Sequence, residues 1–189
     1  MTVDGRVVII KRSQHCGEAA GLWDVPGGHP EPQELVGRIS MEDIDVETLS
    51  NCDVIKEIYN SILREIQDEI NIPQTVLSEP ELMGIARNET SAGRPSLEFF
   101  IRCSLVSTEI ITLYYKGNQC EADESTQIKL LSAYEVLELK EKNSKLWNYL
   151  APSAKGCFTL FKNLYFLSLS LHLLITTSLL FIVLSFFSS

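Results

Sequence analysis

The sequence predicts an α+β domain built on a mixed sheet, and three observations predict it. A β-branched run opens the chain at 7–12, and two further strand-like runs stand at 82–87 and 97–105. Between them Ile55, Ile58, Ile62, Ile66 and Ile70 recur every three or four residues, the spacing of one apolar face of a helix. Strands and helices then intermix without regular β-α-β alternation, which favours a mixed sheet in an α+β or sandwich arrangement over a purely parallel one. With 189 residues there is room for one domain.

The elements follow in order. The strand at 7–12 ends at Ser13, and a loop through Gly17 and Gly21 leads to Leu22-Trp23-Asp24-Val25 and the turn Pro26-Gly27-Gly28. Residues 29–52 carry scattered acids, prolines and glycines with weak periodicity and are expected to form a surface loop or insertion. Asp53 is a suitable N-cap for the isoleucine-striped helix. Pro73 excludes helical geometry from the residue before it, so that helix should stop at Asn71-Ile72. The polar segment 88–95 joins the next two strands. A short strand is expected at 128–131, helices at 133–139 and 145–150, and a last helix from Pro152 into an apolar tail.

Charge and composition limit the partners. A net charge of -9 excludes nucleic-acid binding of the usual kind, which needs Lys and Arg against the phosphates. A polyanionic small molecule remains compatible if a metal ion screens it. The five cysteines, Cys16, Cys52, Cys103, Cys120 and Cys157, show no paired spacing, and no basic and apolar leader precedes residue 7. That pattern fits reduced thiols in a cytoplasmic setting and offers zinc no cage. No charged residue follows Lys162. The expected division is therefore a domain at 1–162 and an apolar tail at 163–189. Residues 164–187 exceed the ~20 apolar residues that cross a bilayer as a helix. They are expected either to anchor the chain in a membrane, with Lys155 and Lys162 on the cytosolic side, or to be a low-complexity end with no such role.

The chemistry concentrates on the central helix. Beside the isoleucines stand Glu57, Ser61, Glu65, Asp68 and Glu69. Acids at this spacing repel by a few tenths of a kcal/mol, and a divalent cation removes the repulsion; Mg²⁺ takes one or two carboxylates together with waters and substrate phosphates. The alternative is an ordinary solvated acidic face. Gly28, five residues, Glu34, an insertion and then Arg64-Glu65-Ile66-Gln67-Asp68-Glu69-Ile70-Asn71-Ile72 resemble the Nudix box, G-x5-E-x7-R-E-U-x-E-E-x-G-U with U apolar. Asp68 stands for a glutamate and Asn71 for the glycine, whose left-handed conformation Asn tolerates. The gap between Glu34 and Arg64 departs from the box; the position eight before Arg64 is Lys56, with Glu57 beside it.

Three strings narrow the likeness, Gly21-Leu-Trp-Asp-Val-Pro-Gly-Gly-His-Pro-Glu-Pro32, Gly84-Ile-Ala-Arg-Asn-Glu-Thr-Ser-Ala-Gly-Arg94 and Pro152-Ser-Ala-Lys-Gly156. They resemble Nudix hydrolases that cut UDP-glucose and UDP-galactose to UMP and a sugar 1-phosphate. The resemblance implies the Nudix fold, a mixed sheet sandwiched between helices, here followed by a C-terminal apolar helix. It implies Mg²⁺, or Mn²⁺ in its place, on Glu65 and Glu69 as catalytic ligands, with Ser153 adding an oxygen. Substrate contacts would come from Arg12, Gly17, Asp24, His29 and Glu31. Glu57, Asp68, Glu69 and Glu89 remain open as the general base. Family members carry a sheet-forming segment before the first strand that this chain is expected to lack. Two other readings stand beside this one: a Nudix hydrolase for a different nucleoside diphosphate derivative, and a non-catalytic fragment that binds nucleotide or a protein.

Overall fold

The computed structural model describes residues 1–37 and 39–167. Its centre is β1 (Arg6–Arg12), which pairs antiparallel with β2 (Trp23–Asp24) on one side and β5 (Ser125–Ser132) on the other. Side chains alternate across a strand, so consecutive isoleucines of β1 enter different cores. Ile9 packs with Leu131, Val136, Leu139, Leu146, Leu150 and Phe158, whereas Ile10 packs with Ile70, Ile72, Cys103, Ile110 and Tyr114. Helices therefore cover both faces of the three-stranded sheet. One face receives α2 (Asn51–Ile70) and α3 (Ser107–Lys116). The other receives α4 (Ala133–Leu137), α5 (Leu139–Lys142), α6 (Ser144–Asn148) and α7, helical from 152 to 167.

A second, two-stranded sheet is the hairpin of β3 (Glu81–Asn88) and β4 (Arg94–Phe100). The expected mixed sheet is thus corrected to two antiparallel sheets. The parallel pairing between described strands is confined to the isolated bridge Trp23–Leu150, because the long crossover through α2 delivers the chain to the hairpin and not back beside β1. Met1 to Val3 run beside 101–105, with Met1 accepting from the Cys103 N–H (2.8 Å) and Val3 donating to the Leu105 carbonyl (3.1 Å).

Several boundaries shift for local reasons. The central helix begins at Asn51 after Ser50, so Asp53 lies in its first turn, where its charge suits the helix dipole. It stops as expected: Asn71 is left-handed, φ 59, and its Nδ2 donates to the Leu113 carbonyl at 2.9 Å. The strand expected to reach 105 ends at Phe100. Helix α3 was not anticipated from its β-branched residues; Glu109 reaches back to the Val106 N–H (3.0 Å), and Ile110 and Tyr114, four apart, carry the buried face. The expected insertion at 29–52 holds only the four-residue helix α1 (Gln33–Val36) and two short turns. Most of the apolar tail, 168–189, lies outside the described residues. Among those described, no helix is long and apolar enough to cross a membrane.

The left-handed cap at Asn71 generates a prediction. Asn71→Ala should cost about 1–2 kcal/mol, combining the strain of a Cβ in that conformation with a lost hydrogen bond, and Asn71→Gly should cost less. Denaturant unfolding of the two variants checks the order.

Candidate active site

The local sequence explains how the site is assembled. On α2 the row Glu57, Ser61, Glu65, Glu69 follows a four-residue spacing and shares one face. That face is turned inward: Glu57, Ser61 and Glu69 are 5%, 6% and 1% exposed, whereas Ile55 of the isoleucine stripe is 56% exposed. The solvated acidic face is excluded. What buries the row is the loop after β2. Glu69 Oε2 accepts from the Gly27 N–H (2.9 Å), Glu65 Oε1 from the His29 N–H (3.2 Å) and Glu57 Oε1 from the Glu31 N–H (3.1 Å). Alternate residues of the loop thus meet one face of the helix at Glu69, Glu65 and, past the turn of Ser61, Glu57. A Cβ at Gly28 would collide with the Glu65 carboxylate, so glycine lets the backbone lie directly over it.

The three carboxylates differ in countercharge. Glu57 is bound by both terminal nitrogens of Arg64, one of them at 3.2 Å, which removes it from the open candidates for general base. Glu89 pairs with Arg87 at 3.3 Å, and both side chains are largely exposed. Glu69 has no such partner among the described residues: burial pushes its carboxyl up to about 8, against the Gly27 hydrogen bond and the Arg12 charge, while the Glu65 charge adds to the rise. Glu65 is also raised, first by burial and then by Asp68, Glu124 and Glu31. Glu121 and Glu124, on the turn before β5, complete this acidic wall; the Glu121 N–H donates to the Asp68 carbonyl at 2.9 Å.

Asp24 and Ser153 form a different unit. Trp23 exchanges backbone hydrogen bonds with Tyr149 (2.9 Å) and Ala151 (2.8 Å), which delivers Asp24 to the first turn of α7. Ser153 Oγ donates to the Asp24 carboxylate (2.8 and 2.9 Å to its two oxygens), and the Val25 and Ala154 N–H groups donate to it as well. A carboxylate in this place caps the helix and complements its dipole. Asp24 is 7% exposed, and its pKa is raised by burial despite these bonds. Ser153 is therefore paired with Asp24 and not with Glu65 or Glu69.

A cleft of about 1090 Å³ is lined by Arg12, Gly17, Asp24, His29, Glu31, Glu65 and Ser153, among others. All five expected substrate-contact residues thus face one space. Arg12 Nε donates to the Glu18 carbonyl at 3.0 Å, and its charge is felt by both Asp24 and Glu69. Among the described residues no three His, Cys, Asp or Glu side chains are placed to hold a metal ion. Two adjacent carboxylates, one of them buried without a cation, nevertheless fit Mg²⁺, which completes its shell with waters and phosphate oxygens.

Comparison with known proteins finds relatives of this chain. No protein-family model matches the chain. It is 46% identical over 161 residues to the uridine diphosphate glucose pyrophosphatase NUDT22 of Mus musculus, covering 85% of this chain and 50% of that protein. It is 34% identical over 147 residues to Nudix hydrolase 9 of Arabidopsis thaliana, covering 77% and 45%. The chain belongs to the Nudix family. It spans about half the length of the curated Nudix relatives it matches. Among solved structures, the MutT protein of Methanosarcina mazei Go1 aligns over 86% of this chain and 87% of its own, with TM-score 0.49 and 16% identity.

One buried acid escaped the sequence reading of this Nudix chain. Glu98, on β4, is 5% exposed, its Oε1 has no partner, and burial raises it to about 7. It lies beside Gly156 of α7, where a Cβ would stand 2.7 Å from the Ala86 Cβ and 3.7 Å from that oxygen. The strings at 84–94 and 152–156 are thus packing partners. An acid inside the apolar run 97–101 was the available signal.

These shifts have a sign. Glu98 and Glu69 hold their protons in the fold at pH values where the unfolded chain, near 4.5, has lost them, so the folded state binds more protons across that interval. Metal-free protein should lose stability as pH rises from about 5 to 8. Glu98→Gln should remove the part of the decline that ends near pH 7; a melting profile parallel to that of the parent contradicts this.

Proposed function

We propose that this chain carries the catalytic site of a hydrolase that cuts the diphosphate of UDP-glucose and UDP-galactose, releasing UMP and the sugar 1-phosphate. The observation that carries the reading is the adjacent pair Glu65 and Glu69, held against the loop at 27–31, with Glu69 buried and lacking an ion-pair partner. The name of the mouse relative supplies the substrate class.

On this reading Glu65 and Glu69 hold Mg²⁺, or Mn²⁺ with the same preference for oxygen, and Ser153 adds an oxygen if it turns from Asp24. A cation held there would supply positive charge for the phosphoryl oxygens and lower the cost of activating a water. The protein's own residues do the positioning. Arg12 presents a guanidinium to a phosphate oxygen. Gly17 lets the backbone approach the substrate closely, and His29 and Glu31 offer polar groups from the loop that Glu65 and Glu57 fix. Asp24 acts mainly through others, since it orders Ser153 and the first turn of α7.

The test is a product assay on the full chain with UDP-glucose, with and without Mg²⁺. Metal-dependent formation of UMP and glucose 1-phosphate is expected, and Glu69→Gln should lower the rate by at least ~10²-fold, because metal charge stabilisation is worth several kcal/mol. Undiminished turnover by that variant, or release of UDP and free glucose, overturns the reading.

A further inference from the structure

We propose that Arg94 is a ligand of the substrate diphosphate, held at the mouth of the cleft by Glu18 until a phosphate oxygen replaces the carboxylate. The inference rests on the function proposed above and names a residue to which that function gives no role.

The charge inventory of the cleft is the first observation. Among the described residues, seven acidic side chains line it against two arginines, Arg12 and Arg94. Arg12 already faces Asp24 and Glu69 and donates to the Glu18 carbonyl. A diphosphate brings further negative charge into this wall, and Arg94 is the remaining arginine that lines it.

The second observation is how Arg94 is presented. It opens β4 directly after a turn whose form is tightly specified. The Asn88 side chain accepts from the Thr90 N–H (3.1 Å) and the Thr90 hydroxyl (2.8 Å), and the Gly93 N–H donates to the Asn88 carbonyl (2.9 Å). Ala92 and Gly93 are both left-handed, φ 53 and 78, and for alanine that conformation is strained. Arg94 then crosses to the loop on the far side of the mouth: its terminal nitrogen donates to Glu18 Oε2 at 2.6 Å, and Ser91 Oγ donates to Glu18 Oε1 at 3.2 Å. Glu18 follows Gly17 and feels the charge of His29, both expected substrate contacts. The pair therefore joins two segments of the cleft lining where both side chains are half-exposed.

The third is energetic. The Arg94 and Glu18 side chains are 45% and 54% exposed. An ion pair so exposed adds little to stability, because water screens it, so its opening costs little. A phosphate offers the guanidinium fork two strong acceptors in place of one carboxylate contact. The competing explanation is a plain surface tie between loop and hairpin.

The two explanations differ in sign, since Arg94→Gln and Glu18→Gln break the same pair. If Arg94 is a ligand, Arg94→Gln raises KM for UDP-glucose about tenfold, the order of one charge-assisted hydrogen bond, while Glu18→Gln does not raise it. A KM raised alike by both variants, or unmoved by Arg94→Gln, overturns the proposal while leaving the hydrolase reading intact. Calorimetric binding of UDP-glucose to the metal-free full chain gives the same comparison without turnover. If the parent binds but does not hydrolyse once Mg²⁺ is restored, the hydrolase reading fails and the Arg94 comparison is decided by affinity.

Discussion

Three backbone N–H groups donated to three carboxylates hold this site together. Gly27, His29 and Glu31 alternate along the loop, and Glu69, Glu65 and Glu57 recede along α2, so the two segments zip in opposite directions. The loop is fixed at one end by β2 and the helix by its packing on β1. Each carboxylate accepts once in the zipper; Glu57 also holds Arg64, and Glu65 and Glu69 are the oxygen pair proposed for a cation. Removing the zipper would free the loop that carries His29 and Glu31 and expose the acid row to water.

The same economy appears at the other wall. The β2 strand is only two residues long, yet Trp23 pairs on both sides, with β1 and with 149–151. That double pairing sets Asp24 under the first turn of α7 and places Ser153 beside it. From there α7 runs over the β3–β4 hairpin, where Gly156 allows the backbone of the helix to come within reach of Ala86. The hairpin in turn carries Arg94 to the rim. The short strand and the glycine therefore link the acidic wall, the helix cap and the mouth of the cleft.

How far the sequence could be read follows from these contacts. The helix with its isoleucine stripe, its stop at Asn71, the strands at 7–12 and 82–87 and the turn after Val25 were legible because each has a local cause: periodicity, a left-handed residue, β-branching, glycine. The orientation of α2 was not. A solvated acidic face and a buried one share the same spacing, and only the loop 30 residues upstream, brought over by tertiary pairing, turns Glu57, Ser61 and Glu69 inward. Asp24 is the converse case. The family resemblance expects it at the substrate, and the structure sets it in the cleft lining while its hydrogen bonds reach a helix start 129 residues along the chain. Helix α3 was hidden because Ile110, Ile111 and Thr112 favour strand by propensity, and packing of Ile110 and Tyr114 overrides that preference. Glu98 had a local signal, an acid within an apolar run, whereas Glu121 and Glu124 became visible only once distant segments met.

The central claim is that one pair of groups, Glu65 and Glu69, both clamps the loop and receives the cation. Thermal unfolding at pH 8 with and without Mg²⁺, on the parent and on Glu69→Gln, tests it most directly. The account expects Mg²⁺ to raise the melting temperature of the parent, because a ligand that binds only the folded state stabilises it. It expects the variant, relieved of a buried carboxylate, to melt no lower than the parent without metal and to gain nothing from Mg²⁺. An equal gain in both proteins would place the cation elsewhere and contradict the account.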